Sequence, residues 1–170
     1  MTSTDPLPND AHGDDTPLRA LQLRVGLTRG DLLLPYETIA EVAEAQLATL
    51  VSGDQPILGH FTWRGVLLPV IGLDRLMADP PVEWRRRLPV AVVYALNPDE
   101  RLAYYALALK GVPRSMRLPH RMLEDEQKVE EPLLAFSGKL ATDPVVVPDL
   151  DALEARVRQM LPVGSEDRPR

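Results

Sequence analysis

Leu21, Leu23 and Val25 alternate with Gln22 and Arg24, the period-two pattern of a strand with one face buried. "GDLLLP" (30–35) follows after a glycine, which predicts a hairpin between the two runs. The same reading makes strands of "ILGHFTW" and "GVLLPVIGL", which flank Arg64–Gly65, and of "PVAVVYAL" (89–96) and "RLAYYALAL" (101–109). The last two are parted by "NPDE", a strong turn signal. "PVVVPDL" reads as a short strand closed by Pro148. At least seven strands on short connections predict a barrel or sandwich, not a parallel sheet.

Period 3.6 governs one clear stretch. In "DLDALEARVRQML" (149–161) Leu150, Leu153, Val157, Met160 and Leu161 fall on one helical face. Asp151 and Glu154 have capping-box spacing. Short helical turns are expected at "GLDRLM" (72–77) and "YETIAEVAEA" (36–45), the second on Ala and Glu propensity.

The 17 prolines favour such short elements over a helical bundle. Residues 1–17, with four aspartates and almost no apolar side chain, read as a disordered acidic tail, and 162–170 as another. Residues 18–161 remain as one domain. A formal charge of −6 argues against nucleic acid as a partner. No apolar run is long enough to span a membrane, and the N-terminus has no signal-peptide pattern, so a cytoplasmic location is expected.

Catalytic chemistry is hard to find. There is no cysteine. His12, His60 and His120 lack a second ligand at metal-binding spacing, the serines lack a nucleophile-elbow context, and no glycine-rich phosphate loop occurs. The expectation is no catalytic residue, no metal and no cofactor. The acidic group "EDEQKVEE" (124–131) reads as a solvated loop. "RRR" (85–87) reads as a solvated connection between lobes, with contact to an anionic partner as the alternative.

Arg64–Gly65 stands out, because an arginine inside an apolar run must be paired or turned outward. The glycine permits the tight turn that lifts it off the core. In its setting, "ILGHFTWRGVLLPVIGLDRLM", this resembles the signature of CheW-like domains, with Gly59, Arg64, Gly65, Pro69, Val70 and Leu73 matching in register. "LRVGLTRGDLLLPYETIAEV", "RLPVAVVYALNPDERLAYYALALKGV" and "DPVVVPDLDALEA" are similar to further parts of the family pattern, so the likeness spans roughly 18–160.

The resemblance implies a mainly β fold of two small five-stranded SH3-like barrels side by side, with a C-terminal helix. It implies a strand where propensity favours helix at 41–45. It further implies a non-catalytic adaptor between the cytoplasmic tip of a methyl-accepting chemoreceptor and the regulatory domain of a CheA-type histidine kinase, at membrane-bound receptor arrays. In that frame Arg64, Gly65, Gly59 and Glu41 belong to the receptor contact, and Leu67, Leu68 and Val70 to kinase docking or simply to the core. The usual Asp of the motif is Gly72 here, with Asp74 two residues on; Thr62 replaces Asn, Trp63 is bulky, and Lys110 stands for another Asp. That drift is similar to accessory members from chemosensory systems governing type IV pili and twitching motility. The alternative is an unrelated β-barrel enzyme or small-ligand binder whose polar groups converge only in three dimensions.

Overall fold

In a computed structural model the residues described are 16–118 and 124–163, with side chains left out for 124–126. The expected tails lie almost wholly outside them, as do His12 and His120. The strands are β1 (Leu18–Leu23), β2 (Asp31–Pro35), β3 (Ile39–Gln46), β4 (Ile57–Trp63), β5 (Val66–Ile71), β6 (Arg87–Tyr94), β7 (Tyr104–Ala108), β8 (Arg114–Leu118), β9 (Glu124–Lys128), β10 (Leu134–Leu140) and β11 (Asp143–Pro148). Two helices join them, α1 (Leu73–Leu76) and α2 (Leu150–Met160).

They form two sheets, a six-stranded one ordered β8-β1-β2-β11-β10-β9 and a five-stranded one ordered β3-β6-β7-β5-β4. Most neighbours are antiparallel; β11 with β2 and β5 with β7 are parallel. Two lobes were expected and are found, each built on one sheet. The sixth strand is β9, drawn from the acidic stretch expected as a loop. There Gln127 and Lys128 pair with Ser137 and Phe136, a ladder that outweighs the solvation preference of the charged side chains.

Residues 39–46 form a strand, correcting the helical propensity reading. Seven register pairs with β6, from Ile39–Val93 to Gln46–Arg87, satisfy the backbone, and Ala43 and Ala45 turn toward the lobe interior. Alanine's small preference for helix is overridden by that ladder and burial. Only Tyr36–Thr38 keeps a helical turn, of 3-10 type.

Alternate residues of the five-stranded sheet face two cores. Leu68, Val70, Val90, Val92, Ala106 and Ala108 point into its own lobe. Ile71, Ala91, Val93, Tyr105 and Leu107 point the other way, onto Leu21, Leu23, Leu32, Leu34 and Val146 of the six-stranded sheet. The two lobes are therefore welded by a shared apolar layer, the dominant favourable term in such packing.

Helix α2 closes that layer with Leu153 and Val157, and the apolar face expected from the sequence is the one buried. Its cap differs from expectation. Asp149, not Asp151, accepts from the Ala152 N–H at 3.0 Å. Glu154, 3% exposed, reaches across to accept from the backbone N–H groups of Leu96 and Asn97. Arg158 completes the clasp by donating to Glu154, to Asp99 at 2.7 Å and to the Asn97 carbonyl.

Candidate functional site

Trp63 and Val66 are the last register pair of the β4–β5 hairpin, leaving Arg64–Gly65 as a two-residue turn. Both turn residues have positive φ, 49° and 79°, as a type I′ turn requires. Gly65 adopts this freely, but an arginine pays about 1 kcal/mol or more for it. Arg64 is thus held outward by the turn, as the sequence led one to expect.

Two contacts fix its direction. The guanidinium donates to Glu41 Oε2 at 2.9 Å and lies 4.7 Å from the centre of the Trp63 ring. The same Glu41 oxygen accepts from Trp63 Nε1 at 3.0 Å. Glu41 sits on β3 and Trp63 on β4, the two outer strands of the five-stranded sheet, so this carboxylate bridges the seam of the lobe. An exposed ion pair alone is worth well under about 1 kcal/mol; the half-buried indole bond adds to it.

Behind Trp63 the aromatic contacts continue. Its ring meets Tyr104 edge-on at 5.0 Å, and Tyr104 meets Tyr94 at 5.5 Å. Tyr94 is half exposed, as are Val42 beside Glu41 and Val66 beside the turn. The result is a fixed cation and carboxylate on an aromatic and aliphatic surface. Such a surface suits protein docking, where rigid aromatic and arginine anchors carry most of the energy.

Other candidate residues fall elsewhere. Gly59 is buried about 13 Å along β4 from Trp63. A Cβ there would lie 2.5 Å from the Thr49 carbonyl oxygen, so its role in the fold is close approach beneath the 47–51 segment. Leu67 is 66% exposed on the outer face of the hairpin, whereas Leu68 and Val70 are 1% and 0% exposed. Those two are core, one of the two readings the sequence left open for them, and Leu67 is the surface member of that group. Of the arginines at 85–87, Arg86 donates to the Leu47 and Ala48 carbonyls and Arg87 pairs with Glu44; Arg85 is solvated.

Sequence reasoning noted Asp74 but gave its carboxylate no role. It is fully buried and accepts from the Val82 N–H at 2.7 Å and from Trp84 Nε1 at 3.1 Å, pinning the connection that leads into β6. Its spacing, two residues past Gly72, was the only clue. A Cβ at Gly72 would sit 2.9 Å from Asp74 Oδ1, so the glycine and the displaced aspartate belong together. Lys110, also a departure, lies 4.3 Å over the Trp84 ring and donates to the Glu83 carbonyl, where burial lowers its pKa. Among the described residues no cluster of three or more His, Cys, Asp or Glu is placed to hold a metal, and no helix is long and apolar enough to cross a membrane.

The chain thus pairs two small β lobes about a shared apolar layer, with an Arg-Gly hairpin tip. The sequence profile of the CheW-like domain matches residues 19–157, and the chain belongs to that family. Its fold is similar to the crystal structure of the scaffolding protein TtCheW from Thermoanaerobacter tengcongensis. That likeness has a TM-score of 0.61 at 14% identity, over 79% of this chain and 90% of the other. No curated protein matches the sequence.

Proposed function

We propose that the protein is a non-catalytic adaptor that couples the cytoplasmic tip of a methyl-accepting chemoreceptor to the regulatory domain of a CheA-type histidine kinase. Membership of the CheW-like family supports this, and the observation that carries it is the presentation of Arg64. An outward arginine in a costly backbone conformation, steered by Glu41 and Trp63, is a device for contact rather than for stability. Receptor state then biases the kinase through differential contacts made by one body, a population shift with no bond made or broken.

In this reading residues 18–161 act as a single domain in the cytoplasm, at membrane-bound receptor arrays. Arg64, Gly65 and Glu41 face the receptor, and exposed Leu67 serves the kinase. The departures at Thr62, Trp63, Gly72 and Lys110 support an accessory branch, in a system controlling type IV pili and twitching, over a flagellar one.

Sizing chromatography of the full chain with the CheA-type kinase of the same organism tests the adaptor class. Comigration is expected. A well-folded sample that never comigrates with that kinase overturns the proposal.

A further inference from the structure

The lobe built on the six-stranded sheet is not filled to its end by apolar side chains. Its interior is a small cluster of Ala20, Leu33 and Leu118, with Met116, Leu140 and Val147 against it. Moving one step toward the end of β1 along this face, the register pair Ala20–Met116 gives way to Gln22–Arg114. Here the apolar filling stops and a cavity of about 270 Å³ opens, lined by Gln22, Arg24, Asp31, Arg114 and Asp143 among others. Mouths of small β-barrels are favoured ligand sites.

The charges in this mouth are unusual in their arrangement. Two guanidiniums and two carboxylates surround one space, yet among the described residues no ion pair includes any of the four. They stand on separate segments, Arg24 just past β1, Asp31 on β2, Arg114 on β8 and Asp143 on β11. Arg24 lies against Gly111, and its own carbonyl accepts from the Lys110 N–H at 2.7 Å. Asp31 is tied by Gln22 Nε2 at 2.8 Å, and Gln22 is only 5% exposed. Gly30 abuts the start of β11 so closely that a Cβ would meet the Pro144 carbonyl oxygen at 2.3 Å. The close Gly30–Pro144 approach and the Gln22–Asp31 bond fix the wall on which these charges stand.

We propose that this mouth binds a small zwitterion of the α-amino-acid class. The ligand's carboxylate lies on Arg24 and Arg114, whose forked donors match a carboxylate in bidentate fashion, and its ammonium lies on Asp31 and Asp143. A multivalent anion would meet both aspartates, and a simple cation both arginines; only a ligand with opposite charges a few bonds apart satisfies all four. The cavity admits a molecule of that size and excludes a folded partner. The site is remote in character from the Arg64 surface and does not depend on the adaptor reading.

The test is a titration of the ¹⁵N-labelled full chain with L-glutamine, followed by backbone amide shifts, beside parallel titrations with propionamide and inorganic phosphate. Saturable shifts at Gln22, Asp31 and Arg114 are expected with L-glutamine, at a Kd of about 1 mM. Propionamide is expected to give none, and phosphate to bind about tenfold more weakly or worse. Arg24→Gln and Arg114→Gln should each weaken glutamine binding about tenfold, and Arg24 is exposed enough that its variant stays folded. Absence of saturable shifts with glutamine, phosphate binding as tightly as glutamine, or a folded Arg24→Gln that binds like the parent would each overturn the proposal.

Discussion

Glu41 and Trp63 stand on the two outermost strands of one sheet and share a hydrogen bond of 3.0 Å, so a single carboxylate latches the seam of the five-stranded lobe while it steers Arg64. Removing the carboxylate in Glu41→Ala leaves the indole N–H without its acceptor, at a cost of about 1–2 kcal/mol. The unfolding temperature should fall by about 2–4 °C for each of those kcal/mol. Glu41→Gln keeps an acceptor oxygen and should lose less. Thermal melts of the three proteins decide it, and equal melting of Glu41→Ala and the parent would remove the latch.

Stability and coupling should separate at position 64. Asn-Gly is the favoured pair for a type I′ turn, so Arg64→Asn relieves backbone strain and should melt at or above the parent temperature. The same change removes the cation and should weaken receptor control of kinase activity. Arg64→Glu should keep the fold too, since the side chain is largely exposed, and weaken coupling further by facing Glu41 with a like charge. Kinase assays in receptor arrays beside melting curves measure both effects. An unfolded Arg64→Glu would contradict the exposed turn, and unaltered coupling in both variants would remove the receptor role.

Gly72 and Asp74 should behave as one unit. Asp74→Ala strands two buried donors, the Val82 N–H and the Trp84 indole, and should cost about 2–4 kcal/mol in urea unfolding. Gly72→Asp, which restores the family's usual residue, pushes a Cβ against the Asp74 carboxylate and should also destabilise. Introduced together, the two changes should cost less than their sum, because Asp74→Ala removes the atom with which Gly72→Asp collides. Strict additivity would show that they are independent.

Acid should loosen the grip of α2. The Arg158 guanidinium beside Asp99, with backbone donors from Leu102 and Arg101, holds the Asp99 carboxyl below its ordinary value. A depressed folded-state pKa adds stability above the unfolded value, and that contribution disappears as pH falls through the folded one. Asp99→Asn should therefore melt lower than the parent near neutral pH, and the two curves should converge below the ordinary aspartate range. Because the pair is exposed, high salt should narrow the gap. A gap that persists at the acid end would assign the effect to something other than this charge.

The strands of both lobes were readable from period-two alternation, and the apolar face of α2 from its 3.6 period, because each pattern reports burial directly. The Arg64–Gly65 turn was readable for the same reason, a charge that interrupts an apolar run. What escaped was set by partners distant in sequence. Nothing in "TIAEVAEAQL" announces the β6 ladder that makes it a strand, and nothing in "EDEQKVEE" announces β10. Glu154 sits at capping-box spacing, yet its carboxylate serves two amides of a loop 57 and 58 residues earlier in the chain. Leu68 and Val70 could not be told from exposed leucine and valine until the sheet had an inside.

The order of strands has a consequence for synthesis. The five-stranded sheet uses only residues 39–108, whereas β1 and β2 wait for β8, β10 and β11 to complete theirs. The five-stranded lobe is thus the first that an emerging chain can finish, and it does so while β1 and β2 have only each other to pair with. The parallel docking of Val145–Val146 on Asp31–Leu32 spans more than a hundred residues and comes last, bringing with it α2 and its clasp. A nascent chain stalled before residue 145 would carry a finished Arg64 surface on a protein whose first sheet is still open, so the docking face is born before the body that holds it.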